Sequence, residues 1–368
     1  MQNGFLYGLA TGVGSTPHQE ADQAIDLIKE YLPHGPHWPQ LPKRGRKESF
    51  VRQNLTPLVK LKMLEIEKDD TPFFLNKEKG WLGKLEQFYQ FYLDSLEEGK
   101  GKEEVLSFFS FPADAAAGFY AFLKEKWDKP GKRPAFLKGH VGGPLTIGLQ
   151  ISTEDGTVAF YEEELRDIIN KLLALISRAQ IRELKKHSLP VVIFIDDPAI
   201  YCYGQSSFIS LSRDDISASI EDVLFAIKAE DAYAGVHCCS GVDWSLLLEL
   251  PFDIINFDAY NYFDSMLVYA EELNSFLRRG GCLAWGIVPT SEAIEKENAQ
   301  SLKERFYALV QRLAQKGVDP GLLTKQYLIT PSCGTGTLTI PQAEKVYAVT
   351  RELQEILYNN FPEQNKQT

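Results

Sequence analysis

PVVIFIDD, residues 190–197, places five consecutive apolar, mostly β-branched residues (VVIFI, 191–195) before an abrupt pair of aspartates. A strand apolar at every position has both faces buried, which is the condition of a parallel sheet covered by helices. Directly upstream, EELRDIINKLLALISRAQIRELKK (163–186) carries apolar residues at helical spacing. Helix followed by buried strand is half of a βαβ unit, and the same grammar recurs along the chain. FLYGLATG (5–12), PAFLKGHVG (134–142), AYAGVHCC (232–239), FDIINFDA (252–259), CLAWGIVP (282–289) and QYLITPSCG (326–334) read as further strands. An eighth is expected between about 48 and 63, and SLKERFYALVQRLAQKG (301–317) is another amphipathic helix. Eight such units predict an α/β fold, a closed (β/α)8 TIM barrel formed by residues 1–368 as a single catalytic domain.

Polar and reactive residues gather where these strands end: Gly14 and Ser15, His140, Asp196 and Asp197, His237 and Cys239, Asp258, and Cys333. In a barrel those ends converge on one mouth, the face that carries active sites. An open doubly wound sheet concentrates ligands at a switch point and would not draw on so many strands. Residues 66–130 break the pattern with charged and aromatic segments such as WLGKLEQFYQFYLDSLEEG. They are expected to form two or three helices as an insertion or lid, their aromatic stripe packing as core.

The formal net charge of -11 disfavours nucleic acid as a partner. No apolar run reaches 18 residues, which leaves no membrane span and suggests a cytoplasmic protein. KRGRK (43–47) is short enough to be a solvated loop; the alternative is contact with an anionic substrate tail. The five cysteines, 202, 238, 239, 282 and 333, are too sparse for a disulfide framework and read as reduced thiols, with Cys202 and Cys282 as small buried residues.

GVHCC (235–239) is the stretch with most chemistry. On a strand His237 and Cys239 share a face and Cys238 takes the other. H-x-C alone is weak, since buried cysteine and satisfied histidine are common in cores. Cys333, at the end of the last strand and before the turn GTGT, returns a second thiol to the same mouth. One imidazole and two thiolates suit zinc, not magnesium or calcium. Asp258 could supply a fourth ligand or cap the helix that follows it.

These stretches, in this order, resemble the catalytic barrel of cobalamin-independent methionine synthase, within the superfamily that includes uroporphyrinogen decarboxylase and corrinoid-linked zinc methyltransferases. ATGVGSTPH (10–18) is similar to the family's I-G-S-x-P turn, HVGGPLTI (140–147) to its G-P-x-T segment, FIDDPAI (194–200) to I-D-E-P-A, and HCC with SCG to its separated zinc segments. The resemblance implies zinc on His237, Cys239, Cys333 and, at a glutamate position, Asp258. It implies Gly14 and Ser15 at a substrate carboxylate, Asp196 at the amino group and Asp197 in place of glutamate beside it. His140 and Tyr260 could orient substrate. WPQLP (38–42) resembles single-barrel relatives that take methyl groups from corrinoids. That favours methylcobalamin or another methylcorrinoid over folate as donor, with a corrinoid carrier protein as partner.

The expected function is thus zinc-dependent methyl transfer to a small-molecule thiol, homocysteine or coenzyme-M-like. Two alternatives stand beside it. A metal-independent decarboxylase of the same superfamily would call for arginines near the start of the chain, and residues 1–43 contain none. A non-catalytic zinc- or corrinoid-binding accessory protein would keep the ligands without needing Asp196.

Overall fold

The apolar runs become strands, seven of them hydrogen-bonded side by side in parallel. The computed structural model describes residues 6–67, 71–127 and 133–360; the polar tail expected to fray, FPEQNKQT at 361–368, lies outside these. Ten strands occur in chain order: β1 (Leu9–Ala10), β2 (Leu64–Ile66), β3 (Pro72–Phe74), β4 (Leu137–Gly142), β5 (Ser152–Thr153), β6 (Val191–Asp196), β7 (Tyr233–Cys238), β8 (Ile254–Phe257), β9 (Cys282–Val288) and β10 (Tyr327–Pro331). The large sheet runs β1-β10-β9-β8-β7-β6-β4, every pairing parallel; β2, β3 and β5 form a small separate sheet.

The eighth position of the ring is filled by residues 37–40, not by the expected strand at 48–63. His37 bridges Lys138 of β4 and Gln40 bridges Ser15 beyond β1, both in parallel sense. Trp38 N donates to Lys138 O (3.1 Å) and Gln40 N to Gly14 O (3.2 Å), so the circuit closes. Pro36, Pro39 and Pro42 each lack an N–H, which keeps this segment from forming a regular ladder. Residues Arg52–Lys60 are instead a helix whose Leu55 and Leu58 are buried. With helices such as Glu163–Lys185, Arg213–Ala229, Ala299–Gln315 and Ile340–Asn360 around the sheet, the chain is an α/β (β/α)8 barrel.

Two apolar cores follow from strand alternation. Phe136, Val192, Phe194, Ile254, Ala284 and Leu328 fill the barrel interior below the mouth. The opposite faces, Ile193, Ile195, Val236, Ile255 and Leu283, pack outward under the helices. Helix Glu163–Lys185 buries 15 of its 23 residues, more than one face, because it is covered twice. The barrel lies on one side, and helices Arg52–Lys60 and Lys100–Phe108 pack on it as well.

The aromatic segment contributes helices Trp81–Asp94, Lys100–Phe108 and Ala117–Lys124. Phe88, Phe109, Phe119 and Phe122 are fully buried, so the stripe is core. Their packing runs to Glu163–Lys185 and Ala21–Tyr31, helices of the outer ring. Among the described residues, no helix is long and apolar enough to cross a membrane.

Candidate metal centre

The register of the sheet decides what meets at the mouth. Asp196 of β6 pairs with His237 of β7, and His237 with Asn256 of β8, so three polar side chains stand at one level of the barrel interior. Cys239 follows two residues after His237, on the same face, while Cys238 enters the outer apolar core. Cys333 comes from the turn after β10. One ligand atom each from His237, Cys239 and Cys333 lies within 4.8 Å of the others, the only such group of metal-binding side chains among the described residues.

The surroundings of His237 prepare it as a ligand. Asn256 Nδ2 donates to Ala284 O (2.9 Å) and to Thr330 Oγ1 (2.8 Å), which leaves Asn256 Oδ1 facing His237 Nδ1 at 2.5 Å. An amide oxygen can only accept, so Nδ1 carries the proton and Nε2 keeps its lone pair. Nε2 is buried without a hydrogen-bond partner. An orphaned imidazole nitrogen beside two sulfurs is what a thiophilic metal would satisfy, and the donor set fits zinc. Replacing Asn256 by Leu is therefore expected to weaken zinc binding by about 10- to 100-fold, the usual cost of losing an outer-shell partner. Asn256→Asp, which still accepts from Nδ1, should recover most of it in a chelator-competition titration.

The thiols share one proton. Hydrogen bonding from Cys333 and the nearby imidazole hold Cys239 down at about 4, although burial opposes this. Cys333, with Cys239 and burial both acting on it, is held well above the usual thiol range. Burial lowers the His237 pKa, but Cys239, Asp196 and Asn256 outweigh it and the net shift is upward. Cys239 is thus the thiol of the pair that ionises first.

These groups line a cavity of about 190 Å³ together with Ser15, Gln40, Phe50, His140 and Asp196. It is not the largest space on the protein: cavities of about 300 and 520 Å³ lie elsewhere, but neither contains cysteine. Two more orphaned atoms border it, His140 Nδ1 and Asp196 Oδ1. Burial pushes Asp196 up to about 6, against the pull of Lys138 and His237. Burial, Lys138 and His37 together keep His140 neutral, well below its ordinary value.

Lys138 is the group beneath this layer. It is fully buried, its Nζ donating to Val13 O (2.6 Å) and lying 4.2 Å from the Phe194 ring centroid. Burial pushes it down to about 8, with Asp196 opposing. His140 is fixed from behind: Trp38 stacks on it with ring centroids 3.8 Å apart, and Phe111 and Phe119 meet Trp38 edge-on. Gln180 ties both, accepting from Trp38 Nε1 (2.9 Å) and donating to His140 O (3.0 Å).

Three expected site residues stand elsewhere. Asp197 turns away from the cavity, its carboxylate accepting from Leu145 N (3.1 Å), Thr146 N (2.8 Å) and Thr146 Oγ1 (2.5 Å). It caps helix Pro144–Leu149 from the neighbouring strand, and a Cβ at Gly143 would overlap it. Asp258 lies outside the His-Cys-Cys group; its oxygens accept from Asn261 N (2.8 Å) and Nδ2 (2.7 Å) within a turn, and it caps no helix either, since the next one begins at Phe263 with Tyr262 as its N-cap residue. Tyr260 donates to Glu297 (2.8 Å) under the Arg305 guanidinium and does not line the cavity.

Gly14 does not line the cavity, though a Cβ there would overlap the His140 ring, and Ser15 Oγ accepts from Gly336 N (3.2 Å), locking the first turn to the last. In KRGRK, Lys43 donates to Leu338 O, Arg44 to Glu48 and Lys47 to Asp114, and none of these lines the cavity.

No protein-family model and no curated protein matches the sequence. Among solved structures the chain is similar to a B12-independent methionine synthase from Shewanella sp. W3-18-1, solved in complex with selenomethionine. The likeness has 15% sequence identity and a TM-score of 0.44, over 62% of this chain and 63% of that one. The chain thus spans less than two thirds of its structural neighbour.

Proposed function

We propose that this protein is a zinc-dependent methyltransferase acting on a small thiol. The observation that carries the reading is the meeting of His237, Cys239 and Cys333 at a cavity, with His237 Nε2 orphaned toward it. Zinc held by these three side chains would leave a coordination position open and lower the pKa of a thiol bound there, so that it reacts as thiolate at neutral pH.

The chain's own residues then set substrate and geometry. Asp196 offers a buried carboxylate oxygen to the cavity, and among the described residues no lysine or arginine lines it. This suits an ammonium-bearing thiol such as homocysteine over a sulfonate thiol of the coenzyme-M kind, which has no ammonium for Asp196 to meet. His140, neutral and braced by Trp38, presents Nδ1 to orient the substrate. Phe50 and Val13 exclude water from the reacting sulfur. In the transfer the sulfur–methyl bond forms as the methyl–donor bond breaks, and the departing donor keeps the bonding pair. Methylcorrinoid is the donor we favour over methylated folate, from the resemblance of WPQLP.

The test is a product assay. Zinc-reconstituted protein is mixed with homocysteine or mercaptoethanesulfonate and with methylcobalamin or methyltetrahydrofolate, and S-methyl product is read by mass spectrometry. S-methylation of homocysteine, with little or none of the sulfonate, is the expected result. About one zinc per chain with no methylated thiol from either donor would reduce the protein to a zinc-binding accessory.

A further inference from the structure

A second feature lies on the outside of the barrel and shares no residue with the His-Cys-Cys centre. Helices Glu163–Lys185 and Arg213–Ala229 run side by side, and between their N-terminal halves is a trough of about 520 Å³, walled on one side by Tyr89. Glu163, Glu164, Asp167, Asp215 and Asp222 line it, against one cation, Arg166.

Part of this charge is already matched. Arg166 donates to Asp215 (2.7 Å), and Asp167 accepts from Tyr89 (2.6 Å) and pairs with Lys171. Glu163, Glu164 and Asp222 have no ion pair among the described residues, which leaves the trough strongly anionic. Acidic residues near helix N-termini are common and by themselves say nothing about a ligand.

Two buried atoms say more. Ser219, 1% exposed, has an Oγ without a hydrogen-bond partner, and Asn170, 5% exposed, has an unpartnered Oδ1. Both residues line the trough. Asn170 spends its Nδ2 on Asp222 (3.3 Å), so the atom left over is the acceptor. A serine inside a helix ordinarily bonds back to the carbonyl four residues earlier; Ser219 does not. Neutral acceptors below a rim of carboxylates complement a donor with several N–H groups and positive charge.

A site built for a divalent ion from three carboxylates is not present: among the described residues only the His-Cys-Cys group brings three ligand atoms within 4.8 Å of one another. The charge is spread lengthwise instead. Asp215 and Asp222 are seven residues apart on one helix, about 10 Å at 1.5 Å rise per residue. Glu163 and Asp167 repeat the pattern over one turn on the other. An extended aliphatic chain with ammonium groups at intervals matches this spacing.

We infer that the trough between helices 163–185 and 213–229 binds a linear polyamine. Ammonium groups seat on Asp222 and Glu163, and Ser219 and Asn170 accept from one of them at the floor. The site is independent of the methyltransferase reading and stands or falls separately.

The experiment is calorimetric titration of the full chain with spermidine at physiological ionic strength, beside magnesium chloride as a charge control. Saturable one-site binding is expected for spermidine and none for magnesium. Asp222→Asn should weaken it about 10-fold, the loss of one charge-assisted hydrogen bond. Ser219→Ala changes no charge and should weaken it by a smaller, measurable factor, which general attraction to an acidic surface would not produce. Circular dichroism verifies that both variants fold. The proposal is overturned if spermidine heat is absent, if magnesium reproduces it, or if both variants bind as wild type. It is also overturned if a lysine-rich peptide binds where spermidine does not, since the trough would then be a protein interface.

Discussion

Serine in place of either Cys239 or Cys333 is expected to remove zinc from the protein altogether. Metal content should fall from about one per chain to none, and affinity by more than about 100-fold, since losing a mere outer-shell partner already costs 10- to 100-fold. The reason is chemical. Serine is nearly isosteric with cysteine but its hydroxyl is a hard, protonated donor at neutral pH, whereas zinc in such sites takes thiolate sulfur. The two variants differ in how they fail. Cys239 is the thiol already held low by Cys333 and His237, so Cys239→Ser also takes away the negative charge that raises the imidazole. Cys333→Ser leaves that thiolate in place, since the serine hydroxyl can still donate to it, and removes only the second sulfur. Cys202→Ser, at a cysteine in the outer core, is the control and should keep its zinc. Elemental analysis of protein purified without chelator reads the result. Full zinc occupancy in Cys333→Ser would show that the two segments do not share a site.

That Cys239 and Cys333 meet was legible in the sequence because both follow regular strands, and the ends of barrel strands converge wherever the intervening helices go. The same regularity made β6 and helix 163–185 readable, the one as an unbroken apolar run and the other by its 3.6-residue period. What escaped has a common cause: residues whose role depends on a neighbour the sequence does not place. The barrel's eighth position fell to His37–Gln40, a proline-punctuated stretch that pairs through single bridges and has no strand period. Lys138 drew no reading of its own from FLKGHV, yet barrel closure buries it fully on the interior face with Phe136 and His140. Asn256, in the middle of IINF, offers only its polarity; its use in aiming His237 comes from Ala284 and Thr330, 28 and 74 residues further on.

The paired acids show the limit most plainly. Asp196 and Asp197 are adjacent, and strand alternation sends them to opposite sides, but alternation does not say which side holds the cavity. The register with His237 places Asp196 inside. Asp197 is left for the GPLT helix, where Thr146 supplies two of its three hydrogen bonds. Asp258 followed by Asn261 was readable either as ligand or as cap, and in the structure it is neither: both of its oxygens accept from Asn261 in a turn that ends before the helix at Phe263.

Asp196→Asn should make the metal-free protein more stable while crippling its reaction. The folded protein raises the Asp196 pKa from 3.8 to about 6, chiefly by burial. A carboxyl group raised on folding contributes stability that is fully present below pH 3.8 and is lost as pH rises through 6. At pH 7 the ionised side chain therefore costs roughly 3 kcal/mol, at 1.36 kcal/mol per pKa unit. Asparagine resembles the protonated acid in size and carries no charge, so the substitution relieves that cost. Part of the gain is returned by Lys138, which burial already lowers to about 8 and which loses the negative neighbour opposing that shift. A net stabilisation of about 1–3 kcal/mol at pH 7 is expected, shrinking toward zero by pH 4, where wild-type Asp196 in the folded protein is already protonated. Asp197 titrates in the same window, its pKa raised to about 6 by burial, so the wild-type slope between pH 4 and 6 is halved and not abolished. Urea denaturation at the two pH values measures this directly. Over the same substitution kcat/KM for an aminothiol should fall about 100-fold, because the substrate ammonium loses its only buried carboxylate in the cavity. A variant that is less stable than wild type at pH 7 and transfers methyl groups normally would make Asp196 part of the scaffold, and would leave the cavity without a group to recognise an amine.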